Sequence, residues 1–244
     1  MGHTLATNIN KYNLSCGDCR LKTICLPLSL KVDEVDKLND IIQRERPIQK
    51  NAYLYRANDE FDSIFAVRSG FIKTISITKD GIEQVTGFFL PGEIVGMDGI
   101  GKGRYTNSAI ALETASICEI PFSKLESLSA SMPNLQHHFF QLMGKVIIQD
   151  QHLISLLSIK TAEQRVATFI LCLSERFHRL KLSATEFQLP MTRADIGSYL
   201  GLTIETVSRI FSGFQKQGLI DVNKREVKII DLCKLHDLCE AVKP

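Results

Sequence analysis

LPMTRADIGSYLGLTIETVSRIFSGFQKQGLI, residues 189–220, holds two helical patterns separated by a glycine break. Thr192 stands three residues ahead of Asp195, an N-cap arrangement for the first helix. Leu200-Gly201-Leu202 supplies the turn and Thr203 caps the second helix. On that second helix Val207, Ile210, Phe211 and Phe214 recur at three- and four-residue steps and form an inward face. Glu205, Ser208, Arg209 and Ser212 share the opposite face, and Thr206 and Arg193 are assigned to the same outward surface. This is the spacing of a helix that reads a major groove. Arginine takes a guanine edge with two hydrogen bonds, glutamate accepts from cytosine N4, and serine is short enough for a thymine methyl or a phosphate to approach. A helical hairpin with a merely solvated face is the competing reading, and it leaves the agreement of turn, caps and face unexplained. VNKREVKII, residues 222–230, follows as a small β wing whose Lys224, Arg225 and Lys228 suit phosphates.

Upstream of a helical stretch, TAEQRVATFILCLSERFHRL, the segment from Pro133 to Lys160 is one long helix with proline in the first turn, where it is tolerated. Phe140, Met143, Ile147, Asp150, Ile154 and Leu157 form a heptad seam, and a second register through Phe139, Met143, Val146, Asp150, Leu153 and Leu157 fits equally. The apolar arc is wide enough to lie on a β domain on one side and on its own copy on the other, although a core helix within one chain remains open. Both registers put Asp150 on the seam. Facing its twin, it would repel by about 4 kcal/mol at most, for charges ~4 Å apart at an effective dielectric near 20. The alternative is that it bends outward into water. His137, His138 and His152 lack a metal spacing and read as surface or seam positions, and Cys172 as core.

Residues 50–121 read as β. SIFAVRSG, FIKTISIT and IEQVTGFFL are short runs rich in Ile, Val, Phe and Thr, punctuated by Gly70, Asp80-Gly81 and Pro91-Gly92. Strands at this spacing predict a sandwich or barrel. The last, ASICEIPF, stops at Pro121 and carries Cys118, which is expected to project from the edge of the scaffold.

Seven cysteines, an odd number, argue against a disulfide framework. No apolar run in MGHTLATNINKYN has signal-peptide length and no stretch is long enough to span a membrane, so the expected location is the cytoplasm. SCGDCRLKTIC, residues 15–25, places Cys16, Cys19 and Cys25 as C-x2-C-x5-C on a polar loop, where thiolates suit zinc or iron with inorganic sulfide. Cys118 is the candidate fourth ligand. Cys233 and Cys239 repeat the five-residue gap without the C-x2-C partner and receive no function. Formal charge is only +2, from 29 Lys and Arg against 27 Asp and Glu, so any nucleic-acid surface depends on local placement. Neither a C-x-x-C beside a βαβ pattern nor a catalytic cysteine with a placed histidine is present, which argues against an enzyme.

Nearly the whole chain resembles the CRP/FNR family of bacterial transcription regulators, within it the oxygen-responsive fumarate-and-nitrate-reduction group; ALETASICEIPF and MTRADIGSYLGLTIETVSR carry the likeness most strongly. The resemblance implies an α+β fold with a cysteine loop (1–29), a double-stranded β-roll of cyclic-nucleotide-binding type (30–132), a dimerisation helix (133–160) and a winged helix-turn-helix (161–244). It implies a [4Fe-4S] cluster on Cys16, Cys19, Cys25 and Cys118, with structural zinc as the alternative. Glu205, Ser208 and Arg209 match the group that reads TTGAT-N4-ATCAA palindromes in double-stranded DNA, to activate or repress. The homodimer would form under anaerobiosis along Met143, Ile147, Ile154 and Leu157, opposed by Asp150 when the cluster is lost to oxygen. The turn TKDGIEQ, with Asp80, Gly81 and Glu83, resembles one used to touch RNA polymerase. Cyclic nucleotide is not expected: Met97 stands where the nucleotide-binding members carry a ribose-binding glutamate, and Asn107 where they carry the phosphate-binding arginine, so the charge-assisted partner is missing.

Overall fold

The structure, a computed structural model, describes residues 15–28 and 30–240. The reading of the first thirteen residues as free of a signal peptide, and the outer parts of the assigned cysteine-loop and carboxy-terminal segments, lie outside the described residues. Among those described, no helix is long and apolar enough to cross a membrane.

An amphipathic helix α1 (Val32–Ile41) leads into the roll, whose eight strands are β1 (Gln43–Arg44), β2 (Tyr53–Tyr55), β3 (Ser63–Ser69), β4 (Ile72–Ile77), β5 (Glu83–Phe89), β6 (Ile94–Val95), β7 (Ser108–Ala111) and β8 (Ser116–Pro121). They form two four-stranded sheets, ordered β1-β8-β3-β6 and β2-β7-β4-β5. Between the sheets lie Phe65, Val67, Ile72, Val95, Ala109 and Ala111, with Tyr55 stacked on Tyr105 at 3.9 Å between ring centres. β3 is buried from Ser63 to Val67 because it is covered on both faces. Phe65 and Val67 point into the roll, while Ile64 and Ala66 pack outward on Leu26, Leu38, Ile120 and Leu135. A strand covered twice needs a continuous apolar run, which SIFAV provides.

β8 lies inside its sheet, between β1 and β3, so Cys118 does not project from an edge as expected. Pro121 ends the strand, and at that position its missing N–H costs no ladder bond in the interior.

Beyond the roll come α2 (Phe122–Ser131), α3 (Pro133–Ile159) and α4 (Ala162–Arg179). The box between Thr161 and Gln164 caps α4. The helix then buries Val166, Ile170, Leu173 and Phe177, an apolar stripe at helical spacing. Cys172 lies on its outer side and is exposed, correcting the core assignment. The last part contains β9 (Glu186–Gln188), α5 (Arg193–Leu200), α6 (Ile204–Lys216), β10 (Ile220–Asn223), β11 (Glu226–Ile229) and α7 (Leu232–Glu240). The wing is the β10-β11 hairpin, completed by β9 into a three-stranded sheet. Ile75, Val85, Phe88 and Leu90 of the roll share one core with Phe169, Ile170, Ile196 and Val207, so roll and reader pack directly on each other.

Candidate metal centre and nucleic-acid interface

Cys16, Cys19, Cys25 and Cys118 line a single cavity whose remaining wall is mostly apolar, from Leu21, Leu26, Ile42, Ala66, Val67 and Ile120. Burial pushes the Cys25 thiol up to about 12, reinforced by the neighbouring Cys118, Cys16 and Cys19. Burial also raises Cys16 and Cys118, with Arg44 pulling both back. Arg44 stands opposite Cys118 in the β1–β8 ladder. Its Nη2 donates to Cys16 Sγ at 3.4 Å and to Asn39 Oδ1 at 2.7 Å, while its buried Nε has no partner among the described residues. An orphaned cationic N–H beside four sulfurs suits an anionic thiolate-held group, whose sulfurs take such donors. Among the described residues no three His, Cys, Asp or Glu side chains converge as ligands of one ion. Zinc needs every sulfur about 2.3 Å from one centre. An iron-sulfur cluster bonds its thiolates to different irons and accepts a wider set.

The cysteine loop is a series of tight turns, with Lys22 N donating to Cys19 O at 3.1 Å and Cys25 N to Leu21 O at 2.9 Å. Its entry is fixed by Cys16 N donating to Asn39 Oδ1 at 3.0 Å. Its middle is seated by Ile24 on Gly92, where a Cβ would come 2.6 Å from Ile24 Cδ1 and φ is +89°. Only glycine takes that backbone without strain and leaves room for the isoleucine. At its exit Cys25 O lies 3.3 Å from His138 Nε2 of α3, and His138 is 1% exposed rather than on a surface or seam.

Only Leu135, His138 and Phe139 are buried on α3. Phe140, Ile147 and Ile154 are 57%, 58% and 65% exposed and repeat every seven residues, so this chain leaves the first seam register open. Met143 and Leu157 are half-buried beside it. Asp150 is exposed, and partial desolvation raises its carboxyl.

In the reader, Thr192 accepts from Asp195 N at 3.1 Å, Gly201 adopts φ 64°, and Thr203 accepts from Thr206 N at 3.2 Å. Val207, Ile210, Phe211 and Phe214 are buried, while Glu205, Ser208, Arg209 and Ser212 are exposed. Thr206 is half-buried. Arg193 turns inward, with its guanidinium carbon 3.5 Å from the Phe211 ring centre, a cation–π contact. Asp80 and Glu83 are exposed on the β4–β5 turn, where Gly81 takes φ 79°.

Asn107, which stands where the resemblance puts the phosphate-binding arginine, is half-buried just ahead of β7 and is bonded to Asp98. Asp98 Oδ2 accepts from Thr106 N, Thr106 Oγ, Asn107 N and Asn107 Nδ2, at 3.0, 2.6, 2.9 and 3.0 Å. A carboxylate there repels a phosphate, and Asn107 is already committed to it.

Arg44, Asn39 and His138 are site residues that the sequence reading missed. They lie far from the cysteines in sequence, and only strand pairing and helix docking bring them close.

Comparison with known proteins matches both halves of the chain to family models. Residues 164–238 match the Crp-like helix-turn-helix domain and residues 45–131 the cyclic nucleotide-binding domain. The transcriptional activator protein anr of Pseudomonas aeruginosa is 50% identical over 220 residues, spanning 90% of each chain. The fumarate and nitrate reduction regulatory protein of Escherichia coli is 49% identical over 216 residues, covering 88% of this chain and 86% of that one. Among solved structures, FixK2 from Bradyrhizobium japonicum superposes with a TM-score of 0.75 at 28% identity, covering 83% of this chain and all of that one.

Proposed function

The chain belongs to the CRP/FNR family of transcription regulators, which are not enzymes, and from that membership we propose that it is an oxygen-responsive member whose DNA binding follows the state of a [4Fe-4S] cluster. The observation that carries the proposal is the shared cavity of Cys16, Cys19, Cys25 and Cys118 beside the unpaired Arg44 Nε. Those four thiolates would hold the group, which when bound supplies an oxygen-labile, anionic centre.

The chain's own residues do the rest. Arg44 faces the sulfurs with a positive charge, and the apolar wall keeps water away. The loop shares a core with Leu135 and Phe139 at the start of α3, each of which contributes roughly 1.5–3 kcal/mol by burial. Ordering the loop therefore orders the helix. Phe140, Ile147 and Ile154 supply the apolar area for pairing α3 with a second copy about a two-fold axis, and Asp150 opposes it. The pairing balance then decides whether two α6 helices stand one DNA turn apart, ~34 Å, with Glu205, Ser208 and Arg209 toward the half-sites of a TTGAT-N4-ATCAA palindrome. Asp80, Gly81 and Glu83 are proposed to face RNA polymerase, in the cytoplasm.

Anaerobic purification tests the reading. Iron and sulfide near four each per chain, a brown protein that sediments as a dimer, and palindrome binding lost on exposure to air are the expected results. A colourless protein with one zinc per chain and the same DNA affinity in air would overturn it.

A further inference from the structure

We propose that His138 is a positioning residue that ties the cysteine loop to α3 and so sets the rotation of the pairing helix; the inference rests on the function proposed above. A backbone carbonyl only accepts, so the His138–Cys25 contact requires His138 Nε2 to carry the hydrogen and donate it to Cys25 O at 3.3 Å. Nδ1 then carries a lone pair, and the Gln141 side-chain oxygen 3.4 Å away is a second acceptor that adds no bond, so Cys25 O is the partner that orients the ring. The same Cys25 carbonyl accepts from Leu28 N at 3.0 Å, so the exit of the loop is held at one atom from two sides. With the imidazole 1% exposed, water does not compete for this hydrogen bond while the loop is seated, which makes the contact a restraint rather than a surface accident.

The other polar and steric anchors of the loop lead elsewhere. Asn39 and Arg44 tie Cys16 to α1 and β1, and Gly92 seats Ile24 on the roll. Leu135 and Phe139 add apolar contact between α3 and the loop, but apolar contact slides more readily than a hydrogen bond does. His138 thus supplies direction where its neighbours supply area. Helix geometry converts this into a consequence for pairing. Two residues further along, Phe140 lies about 200° around the axis, at about 100° per residue, and so faces away from the loop. Ile147 and Ile154 continue the Phe140 row. Fixing His138 against Cys25 therefore fixes which way the open stripe points, and release of Cys25 frees α3 to rotate.

The test compares His138→Met, which removes the donor and keeps an apolar filler of adaptable shape, with His138→Gln, which restores a donor. Hydrogen exchange of amides 16–28 in metal-free protein reads the tether without any cluster. Iron content and sedimentation of anaerobic protein read its effect on pairing. The expected result is exchange about tenfold faster across the loop in the Met variant, the size of one lost hydrogen bond. At wild-type iron content the dimer should also dissociate about tenfold more readily, and Gln should recover both. Should the Met variant fail to fold, His138→Leu takes its place. Unchanged exchange and unchanged pairing, or a Gln variant that behaves like Met, would overturn the proposal. A wild-type protein that carries iron and dimerises while the Met variant matches it removes His138 alone. A wild-type protein without iron removes the cluster reading instead, and the exchange result still judges the tether.

Discussion

Lys73 Nζ lies 2.5 Å from Asp195 Oδ1, joining strand β4 of the roll to the third residue of α5 through an ion pair largely withdrawn from water. Asp195 also accepts from Thr192 N and Thr192 Oγ at the same helix start, so one carboxylate caps the reader's first helix and docks it. Ser198 adds a second bond across the joint, accepting from Val85 N at 2.8 Å. Arg176 of α4 adds a third, donating to Glu93 Oε1 at 2.9 Å. The orientation of the reader is therefore set by polar bonds as well as by the shared core.

Burial alone would raise the Asp195 carboxyl, but bonds from Lys73 and Thr192 outweigh it and hold it below the ordinary range. A depressed folded value means that the stabilisation is complete above the unfolded aspartate value, about 3.9, and is lost as pH falls through the folded one. Lys73→Met should lower stability at pH 7 by roughly 1–3 kcal/mol, since a charged hydrogen bond is removed and a partly buried carboxylate loses its partner. It should also flatten the acid limb. Urea unfolding across pH 3 to 7 checks both, and an unchanged acid limb would count against the pair.

Gly92→Ala combines a backbone at φ +89°, which L side chains rarely adopt, with a Cβ 2.6 Å from Ile24 Cδ1. The expected loss is about 1–3 kcal/mol from the backbone conformation alone. The isoleucine must then leave its seat, so amides 16–28 should exchange faster while the winged domain exchanges as before. Adding Ile24→Ala should relieve the steric part and leave the backbone part, which thermal melts of the single and double variants would separate.

The helix-turn-helix was legible because every one of its devices is local. Thr192, Asp195, Gly201 and Thr203 are close in sequence, and the inward row Val207, Ile210, Phe211 and Phe214 follows one period. The strands of the roll were legible for the same reason. β1 and β9 lie outside the stretch read as β, and β2 inside it was not singled out, because two or three residues hold no period and their pairing is set by distant strands. The sequence could nominate the cysteines by type and spacing, whereas Arg44 enters the site only through its register with Cys118. His138 was misread for a related reason: a polar residue on an apolar helix looks solvated until the loop that covers it is known.

Asp150→Ala should raise the dimer fraction of cluster-free protein in air. Two facing carboxylates repel by about 4 kcal/mol at the upper limit, and exposure reduces this to about 1 kcal/mol, or a factor near five to ten in the association constant. Partial desolvation already raises the Asp150 carboxyl, and in the proposed dimer a second carboxylate across the seam would raise it further. Protonation removes the repulsion, so the wild-type dimer fraction should rise as pH falls toward the aspartate range, and the Ala variant should lose that dependence. Sedimentation equilibrium at several pH values provides the check; an Ala variant that stays monomeric in air would show that Asp150 does not oppose pairing.

Arg209 and Arg193 should separate when each is replaced by Ala, although both belong to the assigned DNA-facing set. Arg209 is exposed on the outer face of α6, free of the core. If it reads a base edge, its loss weakens binding to the palindrome by about 1–3 kcal/mol and relaxes preference at one base pair, with the salt dependence of binding unchanged. If it holds a phosphate, preference persists and the salt slope falls by about one. Arg193 lies over Phe211, which is itself buried, so removing it exposes an aromatic face at the helix-turn-helix core. Its loss should lower the melting temperature of the free protein, by an amount that corresponds to roughly 0.5–2 kcal/mol of cation–π contact, before any effect on DNA. Fluorescence anisotropy with the palindrome and single-base variants at two salt concentrations, beside melts of each free variant, distinguishes a base reader from a phosphate clamp and both from a packing residue.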